Sequence, residues 1–391
     1  MKYLYEINIR VDSRAELLSI IQLFTSWSKL ILIEEDYFYK REALRWFKPY
    51  GGHRAIKLCE YLMELGCLCM PVGFMTHLTE PPELKIEEKL DLNTIYTFTI
   101  YISDKLGYWF NKYYNSCKAE RLFGINRSRY ALLPGLNPRA EEELMLLGEI
   151  MAKRTLNEFA KCLRDFVYKS HFMEFINNHK NFYDGIARKS GLRDEVSKII
   201  RGLEDLFGQE YGYVINIVLC PLYRIRICFG HMFNNKIFVF VGPNHLANDL
   251  PEFEGMTDCI LNELIRGFTT PTYLKFFDEI MEYSSLFRYL GEHVKSTHGT
   301  WLQAFNAHVA SALGALVKLY YMNVPERSII SYLNKEEKNG FTFIKDFYKT
   351  LDEYVKKRDK HDSFEEFFPR LIKLLEELDK KSCYNGWIPK V

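Results

Sequence analysis

Asn262-Glu-Leu-Ile-Arg-Gly-Phe-Thr-Thr-Pro271 has the frame of a His-Glu-x-x-His zinc motif in which both ligand positions are changed. In the working motif two imidazoles one helical turn apart grip a single zinc, and the Glu between them activates water. Glu263 keeps the acidic position, while Asn262 and Arg266 stand where the histidines belong. An amide is a poor zinc ligand, and a guanidinium does not deprotonate to become one.

The pattern predicts a small sheet just before this helix. Tyr213–Leu219 and Lys236–Val241 are short apolar runs bounded by Gly, Pro and Asn, and Arg224–Phe229 is expected to pair between them. Gly242-Pro-Asn-His245 follows a strand and is placed to shape a cleft edge. Upstream, Tyr3–Ile9 alternates as a strand, and Asp12 or Ser13 can cap a helix carrying Leu17, Leu18, Ile21 and Phe24. Helices are predicted over Glu34–Phe47, His53–Leu65, Glu141–Lys169, Phe172–Arg188 and Leu192–Phe207, with a strand over Ile95–Ile102. Downstream, Phe305–Tyr321 is an apolar helix, and Pro325 starts the next. Ser363 with Glu366 makes a capping box for a last helix that carries Pro369 within it. The expected class is α+β and mainly helical. Its regions are a helical part over 1–210, the sheet and motif helix over 211–322, and a helical C-terminal extension over 323–391.

Composition narrows the function classes. The 391 residues are 48% hydrophobic with 29 Phe and 26 Tyr, enough for a large core and against disorder. The 52 Lys and Arg balance the 51 Asp and Glu, so the basic excess of a nucleic-acid binder is missing. Lys356-Lys357-Arg358 and Lys380-Lys381 read as solvated helix ends. No run of about 18 apolar residues occurs, so no membrane span is expected. The nine cysteines are odd in number and sit mostly in apolar runs, as buried free thiols do in a reducing compartment. Cys67 and Cys69 form the one close pair and read as core packing. A soluble cytoplasmic protein is expected. No Gly-x-Ser-x-Gly elbow and no phosphate-binding glycine loop occurs in the chain.

Five landmarks in order carry a family resemblance: Val11–Ile21, Phe47–Ile56, Leu203–Gly208 followed by Val214–Pro221, the Glu263 helix, and Phe305-Asn306-Ala307-His308. Over residues 10 to 320 this order resembles the zincin-like proteins grouped as domain of unknown function 4932. The resemblance implies a zincin-like metallopeptidase fold with a pattern His-Glu-x-x-His-x-Phe-x-Asn-Pro. Glu263, Phe268 and Pro271 match it, whereas Asn262, Arg266 and Thr270 depart. It also implies a Glu as third ligand where this chain has Ala307, beside His308.

With all three implied ligand positions altered, metal binding is expected to be lost, with no cofactor in its place. Glu263 and Arg266 are three residues apart, close enough to pair on a helix. The guanidinium then supplies the charge that zinc would have supplied. The expected function is that of a catalytically inactive metallopeptidase-like protein, a pseudoprotease binding a peptide or protein partner in or near the former cleft. One alternative is a zinc-dependent hydrolase with unconventional ligands and Glu263 as general base; a rebuilt metal site would draw on His293, His298 or His308. A third reading is a structural or oligomeric scaffold.

Overall fold

The computed structural model describes residues 6–64, 74–86, 90, 98, 138–207, 214–233, 236–361 and 363–384. Four strands form one mixed sheet: β1 (Glu6–Arg10), β2 (Val214–Leu219), β3 (Cys228–Phe233) and β4 (Lys236–Val241). Their order is β1-β2-β4-β3. β1, β2 and β4 are parallel, and β3 runs antiparallel to β4 at the sheet edge. A two-stranded ribbon, β5 (His245–Ala247) with β6 (Leu250–Glu252), follows Gly242-Pro-Asn.

Both faces of this sheet are covered, and successive side chains go to opposite sides. Ile215, Ile217 and Leu219 of β2, with Ile237, Val239 and Val241 of β4, enter one hydrophobic core. Val218, Phe238 and Phe240 enter the other. That double burial is why β2 and β4 read as continuous apolar runs.

The second core is built from the N-terminal helices α1 (Ser13–Gln22), α2 (Ser28–Ile31), α3 (Phe38–Phe47) and α4 (Arg54–Glu64). The long α5 (Pro138–Lys169) and α6 (Phe172–Asn178) join them. Asp12 caps α1, its side chain accepting from the Arg14 N–H at 2.9 Å. Phe172–Arg188 is not one helix. It breaks at His179, whose ring bonds the Phe175 carbonyl at 2.8 Å and Glu42 at 2.7 Å, and α7 (Lys180–Lys189) starts afresh. Glu34–Tyr37 stays outside α3, because Tyr37 is extended and buried with its hydroxyl donating to the Pro221 carbonyl at 2.9 Å.

The first core holds α8 (Leu192–Phe207), α9 (Thr257–Lys275), α10 (Phe277–Glu282), α11 (Glu292–His298) and α12 (Trp301–Tyr321). In α8 Leu192, Val196, Ile199, Leu203 and Leu206 recur at helical spacing and are buried. The C-terminal helices α13 (Glu326–Lys338), α14 (Ile344–Lys356) and α15 (Phe364–Tyr384) enter the same core, with Phe364 at 5.0 Å from the Phe207 ring and Phe368 at 5.8 Å from Tyr273. The Glu366 N–H bonds the Ser363 hydroxyl at 3.3 Å, and α15 continues through Pro369.

The strand expected between β2 and β4 lies outside them, because β2 and β4 pair directly and β3 takes the edge, and it also starts further along the chain. Arg224–Ile227 form a turn, in which Arg226 takes a positive φ of 60° and its N–H bonds the Pro243 carbonyl at 2.7 Å. Pairing with β4 therefore starts only at Cys228. Of the expected strand Ile95–Ile102 only Phe98 is described, and it is helical and buried. Cys67 and Cys69 lie outside the described residues. Among the described residues no helix is long and apolar enough to cross a membrane.

Candidate functional site

Glu263 lies on α9, where that helix crosses the face of the sheet at its β3 edge. Its carboxylate has two partners. Oε2 accepts the Gly230 backbone N–H at 2.9 Å, and Oε1 accepts from Arg266 Nη1 at 2.7 Å. The approach depends on Gly230 having no side chain. A Cβ there would sit 2.9 Å from Glu263 Oε2 and 3.1 Å from Glu263 Cβ. Gly230 was not among the residues singled out from sequence. The signal was available as a lone glycine inside a strand, which marks close backbone approach.

The charge balance follows from this geometry. Burial pushes the Glu263 carboxyl up, and Arg266 and the Gly230 N–H pull it back without cancelling the rise. The Glu263 side chain is 13% exposed and that of Arg266 38%, so the guanidinium closes the site toward solvent. The expected Glu263–Arg266 pair is therefore present.

None of the remaining predicted residues is a bonding partner of the Glu263 carboxylate, although His298 lies within the field of Arg266. The Asn262 amide faces α12, with Oδ1 only 3.2 Å from where a Gly314 Cβ would be. Ala307 is buried two turns before Gly314 on that helix. His308 is fully buried; its ring lies 4.9 Å from Phe341 and 5.6 Å from Phe347. His308 Nδ1 bonds the Ala304 carbonyl at 2.7 Å, so Nδ1 carries the proton, and the bare Nε2 has no partner. Burial holds this imidazole down to about 4 against the pull of the Ala304 bond. His298, at the end of α11, is likewise held to about 4 by burial, then by the fields of Arg266 and His293. His293 is exposed.

These residues do not fit a zinc ion. The position facing Glu263 holds a guanidinium, Ala307 offers a methyl group, and the bare His308 Nε2 belongs to a ring packed among Phe341, Phe343 and Phe347. Among the described residues no three His, Cys, Asp or Glu side chains are grouped to hold a metal.

A family model described as Domain of unknown function (DUF4932) matches residues 142–374, more than half of the chain. The chain belongs to that family. The DUF4932 match differs in extent from the span expected at 10 to 320. The landmarks Val11–Ile21 and Phe47–Ile56 fall outside it, and α13, α14 and most of α15 fall inside. Packing gives the reason for the second difference, since those helices complete the core that carries α9. No curated protein and no solved structure matches the chain.

Proposed function

We propose that this DUF4932 chain is a catalytically silent, metallopeptidase-like protein that binds an extended peptide or protein segment along β3. The observation that carries the proposal is the engagement of Glu263 at the sheet edge. Its carboxylate is paired with Arg266, and Gly230 beside it is exposed on a strand whose outer edge no other strand covers among the described residues. Such an edge presents backbone donors and acceptors to an added strand. A peptide carbonyl taking the Gly230 N–H would displace Glu263 from it and leave the carboxylate to Arg266.

The zincin-like reading of the fold belongs to this proposal. An α-helix carrying Glu263 beside an antiparallel edge strand supports it. A cytoplasmic setting also belongs to it, supported by the buried free thiols of Cys59, Cys162, Cys220 and Cys228.

Screening a random peptide library against the full chain tests the proposal. Ligands should protect the Gly230 and Met232 amides from hydrogen exchange, because alternate residues of a strand direct their N–H groups to the same edge. Met232→Pro removes one outer donor while sparing the β3–β4 ladder, and should weaken binding about tenfold or more. Ligands that protect no β3 amide, and bind Met232→Pro as well as the parent, would sink the proposal.

A further inference from the structure

A second buried carboxyl lies on the opposite face of the sheet, where β1 ends and α1 begins. Glu16 is on the first turns of α1 with no exposed surface. Its Oε2 accepts from the Tyr39 hydroxyl at 2.5 Å, and Tyr39 is bonded in turn to the Tyr183 hydroxyl at 2.7 Å. Its Oε1 has no partner. Glu16 and Tyr183 line a cleft of about 170 Å³, together with Arg10, Asp12, Ser13 and Glu80. That volume compares with a cavity of about 150 Å³ that holds a benzene ring.

The charges around the cleft are unevenly paired. Arg10 Nη2 bridges Asp12 at 2.9 Å and Glu80 at 3.2 Å across the mouth. Arg14 adds two bonds to Asp12, from Nε at 3.0 Å and from Nη2 at 2.9 Å. Asp12 and Glu80 thus have their cations, and Glu16 has none. The titratable groups whose fields reach Glu16 are Asp12, Tyr37, Tyr39, Tyr183, Cys220 and Tyr223. Arg10 and Glu80 also line the cleft, and the Arg10 guanidinium is already shared between Asp12 and Glu80.

We propose that this cleft binds a primary ammonium group, with Glu16 Oε1 as its acceptor and counter-charge. The inference stands apart from the reading of β3, since β1 and β3 are opposite edges of the sheet. A buried acid lacking a cation stays protonated, and burial, reinforced by the Asp12 charge, raises Glu16 to about 8 despite the Tyr39 bond. An entering ammonium converts the acid to the carboxylate, and the Glu16 proton leaves to solvent. The Tyr39–Tyr183 pair occupies Oε2, which leaves Oε1 as the oxygen without a partner to take the ammonium.

An ammonium can come from a free alkylamine, a lysine side chain or a peptide N-terminus. Titration calorimetry of the full chain with ethylammonium, with Nα-acetyl-lysine amide and with glycine amide separates these sources. The expected result is saturable binding by at least one, the tightest naming the source. For ethylammonium or Nα-acetyl-lysine amide the affinity should rise about tenfold per pH unit from roughly pH 6 to 8 and then level off, with about one proton released below that plateau; for glycine amide, whose own ammonium ionises at about 8, it should rise to a maximum there and fall above it. Repeating the titration in two buffers of different ionisation enthalpy counts that proton. Glu16→Gln cannot ionise and should lose at least about tenfold in affinity. Should Glu16→Gln fail to fold, the proton count on the unaltered chain still decides. No saturation by any of the three below about 50 mM, an affinity independent of pH, or an unweakened Glu16→Gln would each overturn the proposal.

Discussion

Glu263 and Glu16 are two buried carboxyls on opposite faces of one sheet, and only Glu263 has a cation bonded to it. Glu263 has a guanidinium at 2.7 Å and a backbone N–H at 2.9 Å. Glu16 has a phenol on one oxygen and nothing on the other. Burial raises both, Glu16 to about 8, and at Glu263 Arg266 and the Gly230 N–H pull against the rise. A cation within bonding distance is what separates a closed ion pair from an acid that awaits a partner.

Gly230→Val attacks the closed side of the comparison and carries the largest expected effect. The new side chain collides with Glu263 and forces β3 and α9 apart, at a cost of about 3 kcal/mol in denaturant unfolding. A cost below about 0.5 kcal/mol would show that the contact is slack.

The open side is read by pH. Glu16 is raised in the folded chain, so the folded state keeps a proton that the unfolded chain has lost. Its contribution is complete below the ordinary value of 4.5 and is lost as pH climbs through about 8. Between roughly pH 6 and 8 this term removes about 2 kcal/mol of stability. Glu16→Gln should flatten that slope in urea unfolding at several pH values, and an unchanged slope would contradict it. His308 and His298 act in the opposite sense. Both are depressed from 6.5 to about 4, so their contribution is present above 6.5 and lost on acidification. Their range overlaps the Glu16 range only below 6.5.

Arg266→Met moves the closed site toward the open one and should raise the Glu263 titration in carboxyl NMR. Because Arg266 is 38% exposed, the expected loss of stability is only about 1 kcal/mol. Adding Glu263→Gln should recover most of it. Full additivity of the two substitutions would deny their coupling.

What the sequence disclosed was set by local signals. The bounds of α8, the apolar runs of β2 and β4 and the Asp12 cap are written in neighbouring residues, and they appear where spacing places them. The pair of Glu263 and Arg266 was legible for the same reason, being one turn apart. Glu16 was not. Its partner Tyr39 is 23 residues away, and Tyr183 lies a further 144 from Tyr39. One clue was present, since Leu17, Leu18, Ile20 and Ile21 leave α1 little polar face on which to expose a Glu. The shift of β3 from Arg224 to Cys228 escaped notice because the Arg226–Pro243 bond belongs to the turn's tertiary setting.

Zinc content tests most directly whether Arg266 supplies the charge beside Glu263. The full chain, purified without chelator, is equilibrated with excess zinc and passed through gel filtration before metal analysis. The expected result is far less than one zinc per chain. One zinc per chain retained through the column would contradict it, and would favour the alternative in which Glu263 acts as a general base.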